Sequence, residues 1–212
     1  FKKDNKILGI DPSVEMAKIA KRDYGVNTIN DLFTFKNSQK AVTRFGVTDL
    51  VMANNVFNHS NDPLDFARGV RNLLKENGVF VFEQPYWLDT IKSKKFDQIY
   101  HEHVSYFTVK SAYHLLAKAG LEIFDVEEVE YHGGSLRIYA RKIKSALPKK
   151  IKKVEEIIKK ETSSGLFEIS TYKKFQKEIT SIRDKFLSKL YKLKSSGYEI
   201  VAVGAAAKGN TF

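Results

Sequence analysis

An alternating α/β fold, then a helical segment, then the opening of a second α/β unit is the architecture this sequence predicts, on three observations. Short apolar runs at residues 7–10, 48–53 and 79–82 alternate with stretches of helical spacing. After Pro148 the apolar period changes to steps of three and four, as two helices require. From Tyr198 a further apolar run leads into a turn of small residues. The 212 residues have room for one full domain and part of another. With 42% hydrophobic and 29% charged residues, the chain can bury a core without disulfides or metals.

Taken in order, Ile7-Leu8-Gly9-Ile10 is closed by Asp11-Pro12-Ser13, after which Met16, Ala17, Ile19 and Ala20 recur at helical spacing. This is a strand followed by a capped helix. Residues 48–53 repeat the theme, and a helix from about Pro63 to Lys75 follows, with Leu64, Val70, Leu73 and Leu74 for its buried face and Gly78 as its stop. Val79-Phe80-Val81-Phe82 is a third strand. A helix near Thr108 to Lys118 ends at Gly120, where a C-cap is expected. Residues 121–129 and 135–141 form two extended segments joined by the tight His132-Gly133-Gly134 turn. An alternating domain closed by such a hairpin, over residues 1–142, is compatible with the class I methyltransferase fold.

Residues 143–196 make a basic helical connector. Ile151, Val154 and Ile158 mark one helix; Tyr172, Phe175, Ile179, Ile182, Phe186, Leu190 and Leu193 mark another. This seam, under four heptads long, is expected to pack on a neighbouring domain in preference to forming a coiled coil. Residues 197–212 are expected to begin a second, Rossmann-like domain, with a strand at 198–203 and a turn at Gly204-Ala205-Ala206-Ala207-Lys208-Gly209-Asn210. The net charge of +11 is local: residues 141–194 hold 17 Lys and Arg against 6 Asp and Glu, which accounts for the whole excess. Cysteine is absent, as in a reducing cytoplasm, and no run approaches the roughly 18 apolar residues of a membrane span. Phe1 and Phe212 are read as cut ends of a longer chain.

The densest group of reactive side chains is Tyr100-His101-Glu102-His103, followed by Tyr106-Phe107. Imidazole, carboxylate and phenol together offer a base, a group to orient it and an oxyanion donor, which proton abstraction next to a carbonyl requires. A solvated loop is the competing reading. Metal binding is a weaker one, because no other ligand cluster stands in the sequence and His-Glu-His is not His-Glu-x-x-His. His59 follows Asn54-Asn55-Val56-Phe57-Asn58 just beyond a strand's carboxyl end, where open α/β sheets bind ligands. Asp11, also at a strand end, can accept both ribose hydroxyls of an adenosyl cofactor or else cap the following helix. His132 can be part of a hairpin turn and nothing more. His114 reads as a partly buried helix residue.

In order and spacing, Gly9-Ile10-Asp11-Pro12-Ser13, Asn55-Val56-Phe57-Asn58-His59, Glu83-Gln84-Pro85-Tyr86, the segment from Ile99 through Tyr100-His101-Glu102-His103 to Phe107, His132-Gly133-Gly134-Ser135 and Gly204-Ala205-Ala206-Ala207-Lys208-Gly209 resemble the nucleotide-sugar C-methyltransferase family. The resemblance spans essentially the whole chain, and its specific part is Tyr-His-Glu-His. It implies three parts: a zinc-binding cysteine-rich domain, a class I methyltransferase domain, and a C-terminal Rossmann-like domain that helps to hold a nucleotide sugar. The first part, the first strand with its Gly-rich loop, and most of the last domain are expected to lie outside this chain. Zinc therefore belongs to the absent domain, and none is expected here. S-adenosylmethionine is the implied cofactor, near Asp11, Pro12, Asn54 and Asn55, and this chain on its own is expected to bind it poorly and to be inactive.

The implied reaction is methylation at C3 of a thymidine-diphospho-4-keto-deoxysugar through an enolate. By the same resemblance His103 is the base, Tyr100 its competitor or helper, Glu102 the group that orients an imidazole, and His59 the partner of the ketone-side oxygen or of Glu102. His101, Tyr106, His132 and Lys208 are the implied substrate contacts. Alternatives are a small-molecule O-methyltransferase, against which the enolate-type cluster speaks, and a basic scaffold or nucleic-acid-binding protein. Against the latter, the connector's aromatics fall on its apolar seam, where they cannot stack on bases. The expected partner is a nucleotide sugar, with neither nucleic acid nor membrane. The lysines then form a solvated helical face, and in a gel-shift experiment duplex binding should be weak and salt-sensitive. Sequence-dependent nanomolar binding at physiological salt would favour the scaffold reading.

Overall fold

The computed structural model describes residues 5–146 and 151–204. In chain order the elements are β1 (Leu8–Ile10), α1 (Val14–Tyr24), β2 (Asn27–Ile29), α2 (Phe35–Phe45), β3 (Thr48–Asn54), α3 (Pro63–Leu73), β4 (Leu74–Pro85), α4 (Trp87–Lys92), α5 (Val109–Lys118), β5 (Leu121–Val129), β6 (Ser135–Lys142), α6 (Ile151–Ser163) and α7 (Ile169–Ser195). Strands β1 and β2 pair in parallel as one sheet. The other sheet has the order β3-β4-β6-β5, with β3 and β4 parallel and β6 antiparallel to both β4 and β5. The hairpin thus closes an alternating α/β domain, and the strand that ends it inserts beside β4. Among the described residues β1 is paired only with β2, and β3 only with β4.

Side-chain caps set most helix starts. The Ser13 side chain accepts from Met16 N–H and caps α1, while Asp11 Oδ1 accepts from Ser13 N–H at 2.7 Å. Asp11 is therefore not the cap. Asp62 caps α3, with Pro63 at the first helical position, and Thr108 and Ser111 form a capping box on α5. Helix α3 stops at Leu73, short of the expected Lys75, because Leu74 already pairs with Thr48 and opens a 12-residue strand. Gly78 lies within that strand. A Cβ there would stand 3.0 Å from the Thr48 carbonyl, so glycine permits the close approach.

Phe80 and Phe82 are fully buried on one face of β4, and Phe57 packs edge-on against both, with ring centroids 6.0 and 5.1 Å away. Phe57 also meets Phe66 of α3 at 4.9 Å and stacks on Phe107 at 5.2 Å. On the far side of the core, α6 buries Val154 and Ile157. The expected packing of the α7 seam holds only at its beginning. Tyr172 and Phe175 pack on the core, whereas Ile182 and Phe186 are 41% and 50% exposed. No strand forms at residues 198–203, which lie exposed with no described strand beside them to supply a ladder.

The carboxylate of Glu161, fully buried on α6, joins three elements. It accepts from the Val109 and Lys110 backbone N–H groups at the start of α5, at 2.6 and 3.1 Å, and from the Tyr86 hydroxyl at 3.2 Å. Burial pushes this carboxyl above the ordinary carboxylate range, and the three donors pull the other way. In the window between the ordinary and the raised value, the folded protein holds a proton that the unfolded chain has released. The stabilisation is thus fully present below the unfolded value and is lost as pH rises through the folded value. Thermal melts across that window should show this slope, and Glu161→Gln should remove it. Glu161→Ala, which strands three buried donors, should cost about 2–4 kcal/mol at neutral pH.

Candidate functional site

The reactive side chains gather beyond the carboxyl ends of β3 and β4. At the end of β3, Asn55 takes a left-handed backbone (φ 52°) and its N–H donates to the Glu83 carbonyl at 2.7 Å. Asparagine tolerates this conformation better than most residues, and it turns the chain sharply off the sheet. A single 3-10 turn, Phe57–His59, follows. Buried Phe57 anchors that turn, and the Asn58 carbonyl accepts from Ser105 N–H at 3.0 Å. The His59 turn and the loop after Ile99 are tied together in this way.

His103 stands at the centre. Its ring lies 5.1 Å from that of His59, 4.4 Å from Tyr100 and 6.2 Å from Tyr106. Its Nδ1 is 2.9 Å from the carbonyl oxygen of Gln98. A carbonyl can only accept, so in the neutral ring Nδ1 carries the hydrogen and Nε2 the basic lone pair. Burial raises the Tyr100 phenol above its ordinary value and the charge of Glu102 adds to the effect. Burial likewise raises Tyr106, with a backbone hydrogen bond from Tyr100 opposing it. Both phenols therefore hold their protons at neutral pH. Each can donate its hydrogen, and the imidazoles of His59 and His103 can accept one.

Glu102 faces His101, its Oε1 3.9 Å from Nε2, and both are exposed; the imidazole that Glu102 meets is that of its neighbour. Asp11 and Pro12 are exposed at the end of β1, and Asn54 at the end of β3. Asn30 donates to the Asp11 and Ser13 carbonyls and holds the turn that presents the Asp11 carboxylate. The backbone of His132 belongs to the 3-10 turn Tyr131–Gly133, but its side chain and all of Lys208 lie outside the described residues. His114 is on α5, exposed, with its ring 5.9 Å from Tyr113. Among the described residues no group of three His, Cys, Asp or Glu is placed to hold a metal ion. No helix among them is long and apolar enough to cross a membrane.

Further residues, two of them without any part in the sequence reading, support these elements. Gln98 is buried and supplies the carbonyl that His103 uses. Buried Glu83 pairs across β4 and β6 with the partly exposed Arg137, its Oε2 accepting from Nε and Nη2 at 3.0 and 2.9 Å. Gly134, at φ +123°, lets Asp89 of α4 press against the hairpin, and its carbonyl accepts from Tyr86 N–H at 3.2 Å. Trp87 lies 4.8 Å from Tyr106. For Gly134 the signal was the Gly-Gly pair itself and for Glu83 the Glu-Gln-Pro-Tyr motif; for Gln98 and Trp87 no local pattern distinguishes them.

Residues 2–126 match the family model described as a methyltransferase domain, and residues 130–212 match the C-methyltransferase C-terminal domain. A curated relative, C-methyltransferase NovU of Streptomyces niveus, is 32% identical over 97% of this chain. The chain spans about half, 48%, of that relative's length. Among solved structures, a SAM-dependent methyltransferase of Thermotoga maritima shares 20% identity, with a TM-score of 0.48 over 63% of this chain and 72% of its own. One from Anabaena variabilis shares 13%, with a TM-score of 0.49 over 65% and 68%.

The geometry at Gln98 fixes a tautomer that can be measured. In nitrogen-15 spectra above the titration of His103, Nδ1 should appear as the protonated nitrogen and Nε2 as the bare one. The reverse assignment would mean that the Gln98 carbonyl does not orient this ring.

Proposed function

This chain belongs to the methyltransferase-domain family and is similar to a C-methyltransferase along nearly its whole length, and on that footing we propose that it works in S-adenosylmethionine-dependent C-methylation of a nucleotide-linked 4-keto-deoxysugar at C3, through an enolate. The observation that carries the proposal is the pairing of His103, whose neutral ring has its lone pair on Nε2, with two phenols that retain their protons. Abstraction of a proton next to a ketone needs one base and a donor for the oxygen on which charge accumulates. This loop offers both.

Nε2 of His103 takes the C3 proton and becomes imidazolium, its Nδ1–H still held by Gln98. The C4 oxygen gains negative charge as the C3–H pair moves into the ring, and the Tyr100 hydroxyl and His59 are the groups to meet it. S-adenosylmethionine, when bound, supplies an electrophilic methyl group. The residues present suit its adenosyl end in their chemistry: Asp11 is an exposed, acceptor-only carboxylate just after β1, suited to a ribose diol, with Pro12 following it, and Asn54 and Asn55 stand at the carboxyl end of β3. In this reading His101, Tyr106, His132 and Lys208 contact the nucleotide sugar.

Proton abstraction is separable from methyl transfer. In the full-length protein with a cofactor analogue that cannot donate methyl, the keto-sugar should exchange its C3 hydrogen with heavy water. His103→Asn should lower both exchange and turnover by about 100-fold or more, as loss of a general base does, and Tyr100→Phe should cost less. Near-normal exchange in the His103 variant with loss in the Tyr100 variant would make the phenol the base. Retention in both would take the cluster out of the chemistry.

A further inference from the structure

We propose that Tyr172 of α7 is a positioning residue for the histidine loop, acting through Trp87 and Tyr106; the proposal rests on the reading of that loop as the site of proton abstraction. Trp87 opens α4, immediately after Tyr86, and is half-buried. Its indole Nε1–H donates to the Tyr172 hydroxyl oxygen at 3.2 Å. That hydroxyl in turn donates its one hydrogen to the Leu166 carbonyl, in the turn between α6 and α7, at 2.7 Å. Tyr172 therefore spends its hydrogen on the connector and its lone pair on the indole, which fixes its direction at both ends.

From the indole the contact continues to the loop. The Tyr106 ring lies 4.8 Å from that of Trp87, while the Tyr172 ring is near-parallel to the indole at 6.5 Å. The Trp87 backbone N–H donates to the Phe107 carbonyl at 3.2 Å, which holds the indole's own attachment point beside Tyr106. The Tyr106 hydroxyl reaches the Gln98 carbonyl at 3.5 Å, the same oxygen that takes Nδ1–H of His103. A rotation of the indole thus moves Tyr106 and disturbs the acceptor that sets the His103 tautomer. Packing alone does not call for this arrangement, since a phenylalanine at 172 would fill the same space. What the indole nitrogen and the phenol oxygen add is orientation, across 85 residues of sequence.

The test uses the full-length protein and the heavy-water exchange assay. Tyr172→Phe deletes the hydroxyl and keeps the ring; Trp87→Phe deletes the indole N–H together with part of the ring. Each should slow C3 exchange and kcat about fivefold or more, the rate equivalent of at least one lost hydrogen bond, with KM for the keto-sugar little changed and, for Tyr172→Phe, the melting temperature little changed too. The double variant should be no slower than either single one, because the two residues act through the same bond. Tryptophan emission, taken as the difference between the protein and its Trp87→Phe variant, should change when the nucleotide keto-sugar binds, and Tyr172→Phe should blunt that change. Normal exchange in both single variants, while His103→Asn abolishes it, would overturn the proposal and leave the function standing. Losses that multiply in the double variant would overturn it as well. Normal exchange in His103→Asn would bring down the functional reading and this proposal with it.

Discussion

The stacking of Phe57 on Phe107 is the contact on which the site depends. These rings lie 5.2 Å apart and 12° from parallel, and both are buried. Phe57 begins the turn that ends in His59; Phe107 closes the loop that carries Tyr100, His103 and Tyr106. Two segments that leave the sheet separately are thereby brought to one place, with the Ser105–Asn58 backbone bond as the polar complement of the apolar contact. Because Phe57 also packs on Phe80 and Phe82, the position of the two histidines is referred directly to the central strand β4. Loops alone would leave such groups poorly placed for chemistry that tolerates little displacement.

Much of this was legible in the sequence where the physics is local. The apolar runs that became β1, β3 and β4 and the capped start of α1 follow from spacing and end chemistry. The Gly-Gly turn of the hairpin follows from the same reasoning. What escaped notice was short or polar. Strand β2 is three residues long, and α2 buries Asn37 and Ser38 on its inner face, so its apolar period is weak. The end of α3 was misjudged because strand pairing at Leu74 overrode the glycine signal at 78. The Tyr-His-Glu-His stretch singled out one loop as a candidate, but the geometry inside that loop did not follow from the sequence: Glu102 turns to His101, and the acceptor beside His103 Nδ1 is a backbone carbonyl, which no side-chain pattern can announce.

The connector carries more of the structure than its composition suggests. Glu161 sits in a run rich in lysine and serine and reads as part of a solvated face, yet it is wholly enclosed and terminates the backbone of α5. An ordinary N-terminal cap comes from the residue just before the helix. Here a second, distant carboxylate reinforces the Thr108 box, at the end of the helix where negative charge is favoured. The lysines stay outside because only Val154, Ile157 and Glu161 of α6 turn inward. The boundary drawn near residue 143 marks a change in composition, while Val154, Ile157 and Leu166 beyond it belong to the same core cluster as the sheet.

The two sheets have one property in common: β1 and β3 each meet a parallel neighbour on one side and nothing described on the other. An open strand edge displays a row of amide and carbonyl groups in register, and on β3 it comes with apolar side chains at Leu50 and Met52 left facing solvent. Proteins ordinarily blunt such edges with charge, proline or a bulge. A strand edge left uncovered in this way is a template for adding a strand from another molecule, and net positive charge opposes that addition at low ionic strength and ceases to oppose it once salt screens it.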